Sequence, residues 1–166
     1  DDGLSDGAEI STHLTNPNSS DSDSDQLSDL AEINTHLTDP TDTDSDDDGL
    51  SDNAEISTHL TNPNSSDSDS DQLSDYAEIN THLTDPNDSD TDDDGLNDGI
   101  EINTYLSNPL SADTNGDGFD DGFIAGEGLN PTTDYSALRS STILNVVSDS
   151  EAYGLYALDD IRDLRP

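Results

Sequence analysis

The sequence predicts a mostly irregular, linear repeat array in which a short helix follows an acidic loop every 23 residues, with little or no β-sheet and a small helical segment at the C-terminal end. Three observations predict it. Glu9, Glu32, Glu55, Glu78 and Glu101 stand 23 residues apart, each closing all or, at the start, part of one phrase: Asp-x-Asp-x-Asp-(Gly or Gln)-Leu-x-Asp-x-x-Glu. A fixed period of about 20–50 residues marks a stacked or linear repeat architecture. Of 166 residues, 41 are acidic, 3 are Lys or Arg and only 27% are apolar, giving a formal charge of -38. A globular domain carries about 45–50% apolar residues, so a conventional core is not expected. Finally, a proline closes every repeat, at Pro17, Pro40, Pro63, Pro86 and Pro109.

Each repeat reads in three parts. The acidic loop comes first. A helix signal follows, as in Ser51-Asp52-Asn53-Ala54-Glu55-Ile56-Ser57-Thr58-His59-Leu60. The stop is Thr-Asn-Pro, Thr-Asp-Pro or Ser-Asn-Pro; proline bars helix continuation and pushes the preceding residue toward an extended conformation. Each helix is thus limited to two or three turns, too short to be stable alone in water. A longer period overlies this one. Residues 1–46 match 47–92 except at Gly7/Asn53, Leu30/Tyr76, Thr41/Asn87, Thr43/Ser89 and Ser45/Thr91, and loops with Gly at the sixth place (Gly49, Gly95) alternate with loops carrying Gln there (Gln26, Gln72).

The charge is uneven. Residues 1–110 hold 30 acids and no Lys or Arg, and 111–166 hold the other 11 acids with Arg139, Arg162 and Arg165. The chain therefore divides by composition into an acidic array (1–110), an irregular last loop and junction (111–131) and a C-terminal segment (132–166). In that segment Thr133 or Asp134 caps a helix expected from Tyr135 to about Val147, with Tyr135, Leu138, Ile143 and Val147 on one side. A second short helix is expected near Ala157–Leu164. The two stripes are too short for a coiled coil, so they read as a cap on the array.

Composition excludes several functions. Without Cys there is no disulfide framework and no thiolate zinc site. Without Lys, and with Arg only near the end, no basic patch exists to neutralise phosphate, so nucleic acid is not an expected partner. No apolar run approaches the ~20 residues of a membrane span. No nucleophile is paired with a base and no loop cradles phosphate, so the chain is not expected to be an enzyme. The first residue falls inside a repeat, so the chain is expected to be a segment of a longer protein.

The loop spacing suits a calcium ion. Counting from the first Asp of the third copy, the candidate ligands are Asp44, Asp46, Asp48, the Leu50 carbonyl, Asp52 and Glu55, at positions 1, 3, 5, 7, 9 and 12. These are the ligand positions of an EF-hand loop, with Gly49 at the sixth place for the sharp turn. Alternate residues of a tightly curled segment point at one centre, so the acids at 1, 3 and 5 converge. Positions 9 and 12 share a helical face and meet the ion from the other side. Six to eight hard oxygen ligands on a flexible loop select calcium over softer metals and over magnesium. The same places are held by Asp21, Asp23, Asp25, Leu27, Asp29 and Glu32; by Asp67, Asp69, Asp71, Leu73, Asp75 and Glu78; and by Asp90, Asp92, Asp94, Leu96, Asp98 and Glu101. A truncated first copy keeps Asp2, Leu4, Asp6 and Glu9. The last keeps Asp113, Asn115, Asp117, Phe119 and Asp121, but has Ile124 at position 12; either Glu127 substitutes through a changed turn or the site is weak. A disordered Asp/Ser tract would show no fixed spacing of Leu, Glu, Ile and Pro.

Asp44–Glu55, with Ile56 and the later Asn62-Pro63, resembles the bacterial thrombospondin type 3-like calcium-binding repeat over about residues 1–131. The resemblance implies extended, calcium-loaded, non-enzymatic segments of secreted or cell-surface proteins. Two departures matter. The animal repeats carry cysteines and this chain has none, so only the bacterial branch fits. Gln26 and Gln72 replace the family's Gly; if the position needs positive φ, a side chain there costs on the order of 1–2 kcal/mol, so these loops are expected to bind more weakly or bend differently.

About one calcium per repeat is expected, and the surplus carboxylates, with Asp42, Asp47, Asp88 and Asp93 nearby, leave room for a second. The apolar contribution of each repeat (Leu50, Ala54, Ile56 and Leu60 in the third) does not approach the entropy of ordering its backbone. Metal binding must supply the margin: at free calcium 100-fold above the dissociation constant it adds about 2.7 kcal/mol per site. His13, His36, His59 and His82, replaced by Tyr105 in the fifth repeat, read as packing residues rather than zinc ligands. Asn18-Ser19-Ser20, Asn64-Ser65-Ser66 and Asn87-Asp88-Ser89 match the N-glycosylation pattern and read as polar turns. The expected function is an extracellular, calcium-stiffened spacer in a cell-surface stalk, adhesin or fibre, its partners being calcium and neighbouring repeats or copies of itself. A calcium-dependent interaction module similar to dockerins, or an acidic mineral-binding matrix protein, is the alternative.

Overall fold

A computed structural model describes residues 3–138 of the chain. The chain divides into two units, Asp1–Asp88 and Ser89–Pro166. The first carries four short α-helices, α1 (Asp6–Ala8), α2 (Asp29–Ala31), α3 (Asp52–Ala54) and α4 (Asp75–Ala77). Each continues into a π-helical turn: π1 (Glu9–His13), π2 (Glu32–His36), π3 (Glu55–His59) and π4 (Glu78–His82). The second unit carries α5 (Asp98–Ile100), π5 (Glu101–Tyr105) and α6 (Asp121–Gly126). No strand occurs among the described residues. The expected repeat array is therefore the observed one, acidic loop then short helix, at the 23-residue period.

The sequence explains where each helix begins. Ser5, Ser28, Ser51 and Ser74 take extended backbone angles and accept, through Oγ, the amide of the third residue on, satisfying one of the helix's orphan donors. The Asp that follows favours the positive helix start. The ends were not legible. The chain widens from α to π winding and stops on Leu14, Leu37, Leu60, Leu83 and Leu106, all left-handed at φ 60–63°. Widened turns of this kind concentrate at functional sites.

These leucines correct one expectation. Leu60 and its equivalents contribute no core: the five are 70–78% exposed, and Ile10 is 62% exposed. Among the described residues of the repeats the buried apolar side chains are the position-7 leucines Leu50, Leu73 and Leu96 and the prolines Pro40, Pro63, Pro86 and Pro109, and in the second unit Ile124 and Leu129 form a small cluster with Phe119, Tyr135 and Leu138. Apart from Ile124, the largest fully buried side chains are carboxylates, among them Glu32, Glu55, Glu78 and Glu101. Leu60 sits on the left-handed turn where the chain leaves the helix, so it does not extend the helix's apolar face.

Successive repeats are tied through polar groups. In the first unit Asp25 Oδ2 accepts the amide of Asn53 at 3.0 Å and Asp48 Oδ2 that of Tyr76 at 2.9 Å, each 28 residues on. Asn64 and Asn87 donate their side-chain amides to the carbonyls of His36 and His59. In the second unit Asp94 Oδ2 accepts from Gly122 N at 2.8 Å. Gly122 is required there, because a Cβ would collide with the carbonyl oxygen of Asp94 and the backbone of Gly95 and Leu96. Where the array ends, Asp117 Oδ2 takes the amide of Tyr135 at 2.6 Å, and Asn115 donates to the carbonyls of Pro131 and Thr133. Pro131, Thr133 and Tyr135 thus take up the polar groups of the last loop, as the next repeat does elsewhere. The helix expected through Val147 and the one near Ala157–Leu164 lie outside the described residues.

Candidate metal centres

Each loop is wound around its own aspartates. The position-1 carboxylate accepts the position-6 amide through Oδ2: Gln26 N to Asp21 at 3.2 Å, Gly49 N to Asp44 at 2.9 Å, Gln72 N to Asp67 at 3.0 Å and Gly95 N to Asp90 at 2.9 Å. Position 3 holds the position-5 amide, as Asp46 holds Asp48 N at 3.2 Å, and position 5 holds the position-7 amide, as Asp48 holds Leu50 N at 2.8 Å. Such side-chain-to-backbone bonds are how Asp shapes a tight turn. They curl the chain so that one carboxylate oxygen from each of positions 1, 3 and 5 comes within 4.8 Å of the others in four loops: Asp21/Asp23/Asp25, Asp44/Asp46/Asp48, Asp67/Asp69/Asp71 and Asp90/Asp92/Asp94.

The glutamate at position 12 is buried near enough to these aspartates to feel their charge. Its Oε1 accepts the hydroxyl six residues on: Thr38 to Glu32 at 3.4 Å, Thr61 to Glu55 at 3.2 Å, Thr84 to Glu78 at 3.0 Å and Ser107 to Glu101 at 2.9 Å. Its Oε2 is buried without a hydrogen-bond partner in all four. So are Oδ2 of Asp23, Asp46 and Asp69, both carboxylate oxygens of Asp92, and Oδ1 of Asp44. Buried anionic oxygens are costly when unpaired, and no Lys or Arg lies among residues 3–138. Burial pushes the carboxyls of Asp23, Asp46, Asp69 and Asp92 up to about 6, and neighbouring carboxylates add to it. Burial likewise raises Glu32 to about 7 and Glu55, Glu78 and Glu101 to about 8; for Glu55 the neighbouring charges are Asp46, Asp48 and Asp52. A divalent cation relieves both causes at once, since it replaces lost solvation and offsets repulsion. The residues fit a metal ion in each of these four loops.

Position 9 has a different surrounding from the one its spacing implied. Asp29, Asp52, Asp75 and Asp98 are fully buried, and both oxygens face the second residue of their own loop. Ser45 donates its amide and hydroxyl to Asp52 at 2.8 and 2.7 Å, and Ser22, Ser68 and Thr91 do the same for their partners. The Ser45 hydroxyl in turn accepts the amide of Asp39 at 2.9 Å. Position 9 thus clamps the loop shut. Sequence reasoning missed both this Ser/Thr and the Thr/Ser that holds the glutamate. Their recurrence at one offset in every repeat was the available signal.

The remaining expected sites differ. Asp2 lies outside the described residues, leaving Leu4, Asp6 and Glu9 of the first copy. In the last loop Asp113 accepts the amides of Gly116 and Gly118, and Asp117 that of Phe119, so the curl persists. Asn115 is engaged by the carbonyls after the loop, Ile124 is 1% exposed in the apolar cluster, and Glu127 caps the end of α6. Among the described residues no cluster of three ionisable ligands forms around it. No such cluster includes a histidine either. The sequon residues Asn64 and Asn87 spend their amides on inter-repeat bonds, in keeping with their reading as turn residues.

Fold and sites together define an acidic repeat array whose four complete loops each present a cluster of carboxylates able to hold a metal ion. No family model matches the chain. No curated protein matches it either. Among solved structures it is similar to "Biofilm associated protein - B domain", 44% identical over 27% of this chain and 11% of that one, with a TM-score of 0.27. It is also similar to "Biofilm associated protein - BSP domain", 45% identical over 26% of this chain and 8% of that one, with a TM-score of 0.26. The chain therefore spans about a tenth of each of those proteins.

Proposed function

We propose that this chain is a calcium-binding structural spacer of the thrombospondin type 3-like kind, a segment of an extracellular or cell-surface protein that calcium stiffens. The observation that carries the reading is the partnerless, fully buried Oε2 of Glu32, Glu55, Glu78 and Glu101 beside converging aspartates, repeated at a fixed period without a basic side chain nearby. All donors are oxygens, and positions 1, 3, 5 and 12 of each complete loop offer four carboxylates where magnesium takes one or two, which favours calcium over zinc or magnesium. One ion per complete loop accounts for the positions 1, 3, 5 and 12. The expected affinity, near about 10⁻⁴–10⁻³ M, matches extracellular calcium. No catalysis is assigned to it. Its partners are calcium, neighbouring repeats and copies of the same protein in a surface assembly.

Calorimetric titration of the calcium-stripped chain tests this. Four binding events from the complete loops, accompanied by a gain in protease resistance that EDTA reverses, are expected. A chain with the same protease resistance in EDTA as in calcium would overturn the reading. One observation favours an interaction module instead: the exposed leucines Leu14, Leu37, Leu60 and Leu83 recur once per repeat. On that reading Leu→Ser changes would abolish capture of a partner without altering calcium uptake.

A further inference from the structure

We infer that the loops form two interlocking classes with different calcium affinities, so that the array fills and stiffens in two steps as calcium rises. This rests on the calcium reading above and concerns how those sites are regulated. Three differences alternate together. The first is backbone strain. The sixth residue is left-handed in every described loop, with φ of 107° and 90° at Gly49 and Gly95 and 87° and 84° at Gln26 and Gln72. Gln loops therefore bend as Gly loops do, which settles one of the two outcomes the sequence left open, but they hold a side chain where only glycine is relaxed.

The second difference is at the first ligand. In the Gln loops, Ser24 and Ser70 donate their amides to Oδ1 of Asp21 and Asp67 at 2.6 and 2.7 Å. In the Gly loops the equivalent amides of Asp47 and Asp93 turn to the backbone carbonyls of Asp44 and Asp90 at 3.3 and 3.2 Å; Asp44 Oδ1 stays buried and partnerless, while Asp90 Oδ1 accepts the Asp94 amide at 3.1 Å. Asp21 and Asp67 must weaken an existing bond to take a cation through that oxygen, whereas Asp44 need not. The third difference is charge. Ser19 and Ser24 stand where the next loop has Asp42 and Asp47, and Ser70 where the loop after has Asp93. Ligand charge and loop rigidity are what tune calcium affinity in loops of this type.

The classes also fit together sterically. The tenth residue of each repeat lies over the sixth of the loop before. A Cβ on Gly49 would sit 3.1 Å from the Tyr76 ring, and one on Gly3 would sit 2.8 Å from Leu30 Cδ2. The residue that follows a Gln loop at that place is Asn53. At Gly3 and Gly49 bulk on one side is matched by its absence on the other; at Gly95 the facing residue is Gly122 and neither carries a side chain. Gly loops fill first. Gln loops follow at higher calcium, since their position-1 carboxylate is already engaged by the Ser24 or Ser70 amide and they carry fewer acids.

The test is an NMR calcium titration of the full chain, following the amides of Gln26, Gly49, Gln72 and Gly95. Gly49 and Gly95 are expected to reach their end points first. In Gln26→Gly/Gln72→Gly, the second step is expected to move toward the first, and adding Ser24→Asp/Ser70→Asp to merge them. As a converse, Gly49→Gln/Tyr76→Asn, which clears space for the new side chain, is expected to move Gly49's loop to the weaker step. Coincident titration of all four amides in the unaltered chain, or variants that titrate as it does, would overturn the two-class inference while leaving calcium binding intact. If no amide moves at any calcium concentration, the calcium reading itself fails, and this inference with it.

Discussion

Removing calcium while varying pH tests the electrostatic account most directly. In the metal-free fold, burial holds Glu55, Glu78 and Glu101 at about 8, Glu32 at about 7, and Asp23, Asp46, Asp69 and Asp92 at about 6. These are above the 4.5 and 3.8 of ordinary Glu and Asp. A raised carboxyl binds its proton more tightly folded than unfolded, so it contributes stability below the unfolded value and loses that contribution as pH climbs through the folded one. Moving one glutamate from 4.5 to about 8 corresponds to on the order of several kcal/mol, before relaxation or water entry reduces it. Three such groups rival the whole stability of a domain, about 5–15 kcal/mol. The calcium-free fold is therefore expected to be most ordered near pH 4–5 and to be lost progressively between pH 5 and 8. With calcium bound the sign reverses, because the cation holds the same carboxylates ionised and protons compete with it. Hydrogen exchange of the Leu50 and Leu73 amides, measured with EDTA and with calcium at pH 5 and pH 8, reads both curves. Greater protection at pH 8 than at pH 5 in EDTA would refute the reasoning.

Three further outcomes follow from single contacts. Leu60→Gly is expected to stabilise the calcium-loaded chain by about 1 kcal/mol, because Leu60 is left-handed and 74% exposed; a thermal melt in calcium measures it. Asp52→Asn leaves the Ser45 amide and hydroxyl with one acceptor oxygen in place of two, and is expected to cost about 1–3 kcal/mol and to raise exchange in residues 44–60 while residues beyond Gly95 stay protected. Gly122→Ala drives a methyl into the backbone of Asp94, Gly95 and Leu96, and a loss of about 1–3 kcal/mol is expected in the same melt.

Legibility followed the chemistry of each residue. The 23-residue period, the Ser-started helices and the convergence of Asp44, Asp46 and Asp48 were readable because each rests on a local rule: a cap, a turn or alternation along a curl. The fate of Leu60 was not readable, since an apolar residue at helical spacing predicts burial, and only the left-handed ending turns it to solvent. Asp52 has partners that its spacing does not reveal. Its spacing from Glu55 puts both on one helical face, but Ser45, seven residues earlier, reaches it first. The bonds between Asp25 and Asn53 and between Asp48 and Tyr76 span 28 residues, and no local rule gives them.

The strained leucine and the buried glutamate are two ends of one arrangement. Thr61 must return to Glu55 to give its hydroxyl to Oε1 at 3.2 Å, and Ser107 returns to Glu101 with both its hydroxyl, to Oε1 at 2.9 Å, and its amide, to the Glu101 carbonyl at 3.2 Å. A regular α-helix would carry that residue a turn and a half further along the axis. Widening to a π turn and reversing at a left-handed leucine brings it back. The return fixes one glutamate oxygen and leaves the other buried without a hydrogen-bond partner. In the metal-free chain this costs twice, once in the leucine backbone and once in the buried charge, and gains only the hydrogen bonds of the returning residue. The arrangement becomes favourable when a cation occupies the basin, so the conformation of an exposed leucine is tied to the metal by the residue that follows it.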